Sequence, residues 1–210
     1  MARELEPGGT VVGVDCAPKF VAAATEDAKA AETSNASFFV ADVQLDQLRG
    51  PYDYVFSRFG TMFFVSPGAA LGNIRKSLKP GGKLLQVVWR KREDNPWLFE
   101  AEQRVKEIVP VISHEETDEV HCGPGPFSMA DADMMSAIMR AAGYDQVTFE
   151  RFDTDIFIGK DVEDAIEFAI ALGPAGEIIR LAGDEGERLK PEVIAALRDV
   201  LTPYLGERGV

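Results

Sequence analysis

Cysteine and histidine are scarce in this chain, with two of each among 210 residues. Cys16 and Cys122 lie far apart and form no C-x-x-C unit, which excludes a disulfide framework and indicates a reducing, cytoplasmic setting. His121 and Cys122 are adjacent but lack a third ligand at metal-binding spacing, so no metal is expected. Positive charge is also in short supply: 22 Lys and Arg stand against 35 Asp and Glu, a formal charge of −13. The basic groups from Lys76 to Lys83 and from Arg90 to Arg92 are short and broken, so nucleic acid is not an expected partner. No apolar run approaches the roughly 18 residues of a membrane span. No charged-then-apolar leader precedes the first strand, and there is no internal repeat. Membrane attachment is not expected either.

What is present is a chain 46% hydrophobic, long enough to bury one core and read as a single domain. Its most informative stretch is Gly8-Gly9-Thr10-Val11-Val12-Gly13-Val14-Asp15, an apolar strand that ends on a carboxylate. A parallel strand buried on both faces reads as a continuous β-branched run, and ligands bind at the carboxyl ends of such strands. Asp15 therefore stands at a ligand edge. A carboxylate there can accept from both hydroxyls of a ribose, each bond worth about 1.5–3 kcal/mol. It can equally cap a turn before Pro18. Pro18 is suited to open a helix, and Phe20, Val21, Ala24, Ala28 and Ala31 recur at helical spacing. Ser37-Phe38-Phe39-Val40 is the next strand, closing on Ala41-Asp42-Val43, so a second carboxylate stands at a strand end, again as ligand group or turn cap.

Tyr52 to Ser57 is a third strand, followed by Arg58-Phe59-Gly60-Thr61-Met62-Phe63-Phe64, which needs either core cover or a role in lining an apolar pocket. Ala70, Leu71, Ile74 and Leu78 give a helical face that Pro80-Gly81-Gly82 is expected to stop, and Lys83 to Trp89 resumes as a buried strand. Three strand–helix alternations predict an α/β, doubly wound sheet. Residues 95–127 have a different character and are expected to form a helical cap insertion, with a helix from Pro96 to about Val109. Ser128-Met129-Ala130-Asp131 has capping-box spacing ahead of Met134, Met135, Ile138 and Met139, and Gly143 ends that helix. Gln146 to Ile158 alternates as a long strand. Asp161–Leu172, Pro174–Ala182 and Pro191–Tyr204 are helical by periodicity, with their acidic residues on a solvated face.

Two strand-end acids in consecutive βα units suit an adenosine cofactor, and NAD(P) is one. Short-chain reductases, however, also need a Tyr-x-x-x-Lys pair, and none of the four tyrosines has Lys four residues on. The order Gly8-Gly9…Val14-Asp15, Ala41-Asp42-Val43, Tyr52-Asp53-Tyr54-Val55-Phe56-Ser57-Arg58-Phe59-Gly60 and Leu78-Lys79-Pro80-Gly81-Gly82-Lys83-Leu84 resembles the Rossmann-like, class I S-adenosylmethionine-dependent methyltransferases. Within them it is most similar to the ubiquinone and menaquinone methyltransferase type. The resemblance implies methyl transfer from S-adenosylmethionine to a small-molecule acceptor. It places Asp15 on the ribose diol, Cys16 and Phe20 beside the adenine, Asp42 and the Val43 backbone on the adenine edge, and Ser57, Arg58 and Phe59 by the methionine half. Met62, Phe63, Trp89 and Trp97 become candidates for the acceptor side. His114 and His121, in the cap region, are candidates for deprotonating an acceptor hydroxyl.

The resemblance also implies a first strand with a glycine-rich loop ahead of residue 1 and a last strand beyond the final helix. On that reading the chain is truncated at both ends, and the sheet edges left exposed can pair across a homodimer. A non-catalytic interaction module on the same scaffold is the alternative that such edges leave open.

Overall fold

The computed structural model describes residues 1–5, 7–110 and 124–210. Among them the order is β1 (Val11–Asp15), α1 (Pro18–Ala30), β2 (Ala36–Val40), β3 (Tyr52–Arg58), α2 (Pro67–Ser77), β4 (Leu78–Val87), α3 (Pro96–Ile108), α4 (Ala132–Ala141), α5 (Val162–Leu172), α6 (Pro174–Leu181) and α7 (Gly183–Leu201). These residues form two compact units, one of residues 1–88 with 124–148, the other of residues 89–110 with 149–210.

The first unit is built from two βαβ crossovers. β1 and β2 pair in parallel, Val11 opposite Ala36 and Asp15 opposite Val40, with α1 supplying the crossover that parallel pairing demands. Pro18 occupies the first turn of α1, where its missing N–H has no partner to lose. Gly13 lies against the Phe38 ring, which a Cβ there would meet at 2.4 Å and have to displace. β3 and β4 repeat the arrangement around α2, with Tyr54 opposite Lys83 and Arg58 opposite Val87. β1 pairs only with β2 and β3 only with β4 among the described residues. Strand side chains that a fully covered parallel sheet would bury are therefore exposed, among them Val14, Val40, Phe56, Leu85 and Val87. The buried strand expected over 83–89 is corrected accordingly.

Two expected boundaries also move. α2 ends at Ser77, before Pro80-Gly81-Gly82, and Leu78 is already extended, so these residues lie inside β4 and shift its register against β3 between Tyr52 and Tyr54. Ser128 does not cap the next helix. Its Oγ donates to the Met62 carbonyl at 2.6 Å, which Gly125 N–H also reaches at 3.0 Å, and Asp131 caps α4 by accepting from Met134 N at 2.7 Å. A capping serine needs a free hydroxyl, and here tertiary contact claims it. Met135 is buried and Gly143, at φ 92, ends the helix.

The second unit is helical. Ala101, Val105 and Val109 interleave with Ala165, Ile166, Ala175, Ile179, Val193, Leu197 and Leu201 in one buried cluster. Residues 96–108, assigned from sequence to the cap insertion, pack in this cluster with α6 and α7. Glu102 is 1% exposed, its Oε1 held by Arg92 at 2.8 Å and Lys106 at 2.9 Å, so the buried charge is paired. α7 starts at Gly183 rather than at Pro191 and runs through the proline. Among the polar helical residues ahead of Pro191, ion pairs Glu185–Arg188 and Glu187–Lys190 lie one turn apart and support the helix modestly.

The expected strand from Gln146 to Ile158 is not one. An extended segment becomes a strand only with a ladder partner, and among the described residues the backbone bonds across are at its end: Ile158 and Gly159 N–H donate to the Val210 carbonyl, and Val210 N–H donates to the Gly159 carbonyl. Phe149, Phe152 and Phe157 accordingly stay exposed.

Tyr144 fastens the turn after α4 to α2: its hydroxyl donates to the Leu71 carbonyl at 3.0 Å, while Arg75 Nε donates to the Gly143 carbonyl at 3.2 Å. Burial pushes the Tyr144 phenol up to about 12. A pKa raised above the unfolded value of about 10 stabilises the fold below that pH and is lost as pH climbs towards the folded value. Urea unfolding of Tyr144→Phe is expected to show about 1 kcal/mol less stability than wild type at pH 8. The difference should shrink between about pH 10 and pH 12.

Candidate cofactor site

Parallel pairing puts the carboxyl ends of β1 and β2 at the same rim of their sheet. Asp15 is the last residue of β1, opposite Val40, and Ala41 N–H donates to the Asp15 carbonyl at 3.1 Å. Asp42 follows directly, so the two acids close adjacent strands. Each spends one carboxylate oxygen on its own turn. Asp15 Oδ1 accepts from Ala17 N at 2.7 Å at the entrance to α1. Asp42 Oδ1 accepts from Gln44 N at 2.8 Å and Gln44 Nε2 at 3.3 Å. The turn-cap and ligand readings are therefore not exclusive: capping fixes the side chain, and Oδ2 of each acid accepts no hydrogen bond among the described residues.

Around them, Cys16 is a free, exposed thiol and Phe20 is 69% exposed on the first turn of α1. Val43 is half-buried; its carbonyl is taken by Asn73 Nδ2 at 2.8 Å. At the end of β3, Ser57 stands opposite Gln86 and Arg58 opposite Val87. Arg58 lies over the Phe59 ring at 5.8 Å. Phe59 has φ 59, a left-handed conformation that a bulky residue adopts at a cost of order 1 kcal/mol, here held by its N–H donating to Val87 O at 2.9 Å. Thr61 Oγ1 and Gln86 Nε2 are buried with no hydrogen-bond partner among the described residues, which leaves polar capacity beside this turn.

All eight cofactor candidates thus lie in the first unit. The acceptor-side candidates do not share one unit. Met62, 1% exposed, and Phe63, exposed, belong to the first. Trp89 and Trp97 belong to the second, where their rings are 6.4 Å apart and Trp97 packs on Phe168 at 5.9 Å. His114, His121 and Cys122 lie outside the described residues. No group of three or more His, Cys, Asp or Glu is placed to hold a metal among the described residues, and none of their helices is long and apolar enough to cross a membrane.

Two residues missed from sequence shape this rim. Gln44 Oε1 accepts from Ser66 N at 2.6 Å, and Asn73 Nδ2 donates to Val43 O and Asp46 O at 2.8 Å each. The one available signal was an asparagine inside a helix, where its short amide competes poorly unless it bonds elsewhere.

Asparagine at position 15 keeps an oxygen for Ala17 N, whereas alanine does not. Asp15→Asn is expected to unfold within a few tenths of a kcal/mol of wild type, and Asp15→Ala to lose about 1 kcal/mol, in urea titrations.

Residues 1–82 match the family model of a methyltransferase domain. No curated protein matches the chain. Among solved structures, the [4+2]-cyclase SpnF aligns with 97% of this chain at 18% identity and a TM-score of 0.52. PKMT2 from Rickettsia typhi in complex with AdoHcy aligns with 96% at 14% identity and a TM-score of 0.41. The chain spans 62% of the SpnF structure and 43% of the PKMT2 structure. The fold is the α/β, Rossmann-like fold of class I methyltransferases, with short parallel sheets, and residues 1–82 carry the match to a methyltransferase domain.

Proposed function

We propose that the chain binds S-adenosylmethionine and transfers its methyl group to a small-molecule acceptor, as enzymes of the ubiquinone and menaquinone methyltransferase type do. One observation carries this reading: Asp15 and Asp42 close two strands paired in parallel, each with one carboxylate oxygen fixed by a turn and the other uncommitted. Those acceptor oxygens fit the hydroxyl and amino donors of adenosine. Asp15 Oδ2 would accept from the ribose hydroxyls, Asp42 Oδ2 from the base amino group, and the Val43 N–H, which donates to nothing among the described residues, would meet a ring nitrogen. When bound, S-adenosylmethionine supplies an electrophilic methyl group, the carbon–sulfur bond pair staying on sulfur as the bond to the acceptor forms.

The residues of this chain then have to orient and exclude water, which for an in-line displacement contributes most of the rate. Ser57, Arg58 and Phe59 are the proposed residues for the methionine half, and the unpartnered Thr61 and Gln86 groups would add polar contacts. An acceptor hydroxyl would lose its proton to a base, for which His114 and His121 are the proposed residues. The exposed Phe63 supports an acceptor that is partly apolar.

Isothermal titration tests the reading. Wild type is expected to bind S-adenosylmethionine in the micromolar range, and Asp15→Asn, which keeps the turn, to bind roughly 10- to 100-fold more weakly. Absence of heat in wild type, or equal affinity in the variant, contradicts it.

A second reading rests on the strands themselves. Among the described residues β1 and β3 each pair on one side only and carry exposed apolar residues, which favours a homodimer or an interaction module assembled through strand edges. Gel filtration with light scattering is expected to give a dimer on that reading. A monomer that binds S-adenosylmethionine rules the module out.

A further inference from the structure

We infer that Asn73 is a positioning residue for base recognition: from α2 it locks the peptide that aims the Asp42 carboxylate. The inference rests on the adenosine reading of the rim and adds to it a residue that touches no ligand.

The chain of contacts is short. Asn73 sits in α2 and spends both amide hydrogens outside its own helix, on the Val43 carbonyl and the Asp46 carbonyl, each at 2.8 Å. The Val43 carbonyl and the Gln44 N–H are the two ends of one planar peptide. That N–H donates to Asp42 Oδ1 at 2.8 Å, so the peptide is held by Asn73 at one end and holds the carboxylate at the other. With Oδ1 fixed, the direction of Oδ2 is fixed as well. Gln44 closes the loop in the opposite sense, its Nε2 on Asp42 Oδ1 and its Oε1 accepting from Ser66 N at the start of α2. The turn is completed by Asp46, whose Oδ2 accepts from Asp42 N at 2.7 Å and whose N–H donates to the Asp42 carbonyl at 2.8 Å.

A half-buried helical asparagine whose two side-chain donors both serve one turn on another element is more than a stabiliser of its helix, since among the described residues its amide group makes no bond within it. Its effect falls on the turn that carries the proposed base-reading groups, Asp42 Oδ2 and Val43 N–H. The ribose-side carboxylate of Asp15, capped by Ala17 N, does not depend on it.

The distinguishing readout is base discrimination. Asn73→Asp is nearly isosteric but replaces the donor with an acceptor facing two carbonyls. Wild type is expected to bind S-adenosylhomocysteine at least tenfold tighter than its hypoxanthine counterpart, whose base presents a carbonyl where adenine presents an amino group. Asn73→Asp is expected to lose most of that ratio while the affinity for the hypoxanthine ligand changes little; a merely structural lesion would weaken both ligands together. In wild type, independently of any variant, S-adenosylhomocysteine is expected to slow hydrogen exchange at the Gln44 amide at least tenfold. A variant that discriminates as wild type does, or a Gln44 amide whose exchange is unchanged on binding, overturns the inference alone. A wild type that binds neither ligand overturns the adenosine reading, and this inference with it.

Discussion

The parallel pairing of β1 with β2 is the constraint on which the candidate site depends. Antiparallel neighbours would send their carboxyl ends to opposite edges; parallel ones bring Asp15 and Asp42 to the same rim, Asp15 in register with Val40 and Asp42 two residues beyond it, after a bond from Ala41 N–H back to the Asp15 carbonyl. In that register Gly13 lies opposite Phe38 and leaves room for its ring, and α1, with Pro18 in its first turn, makes the crossover between the two strands. Each acid is then steadied by a local turn. The same interactions that give the backbone its corners leave each carboxylate half committed and half available.

Much of this was legible in the residues. β-branched runs ending on single acids, separated by helical periodicity and punctuated by Pro18 and Gly143, give the α/β architecture and the order of the first four strands almost directly. What was not legible depended on contacts distant in sequence. Ser128 looks like a helix cap because its spacing to Asp131 is right, and nothing local reveals that the Met62 carbonyl takes its hydroxyl. Gln146 to Ile158 alternates as a strand should, yet alternation records which side chains can face a core and not whether a ladder partner exists. Asn73 and Gln44 carry no motif; their roles emerge only when α2 is brought beside the turn after β2.

The fold by itself leaves the chemistry open, since a structure with the same architecture is a [4+2]-cyclase. The proposed alkyl transfer is to be judged on the site: acids at the strand ends, Phe59 at positive φ with its N–H on the Val87 carbonyl, and buried polar atoms on Thr61 and Gln86. The Phe59 conformation and these unpartnered atoms each cost stability near the end of β3.

The central claim is that one adenosine is gripped by two acids at the carboxyl ends of adjacent strands, β1 and β2, of one crossover. A crystal structure of the chain with S-adenosylhomocysteine tests it most directly. The expected result is a ribose diol within hydrogen-bonding distance of Asp15 Oδ2 and a base amino group on Asp42 Oδ2, with both turns unchanged. A ligand bound elsewhere, or either carboxylate turned away from the nucleoside, would contradict the account.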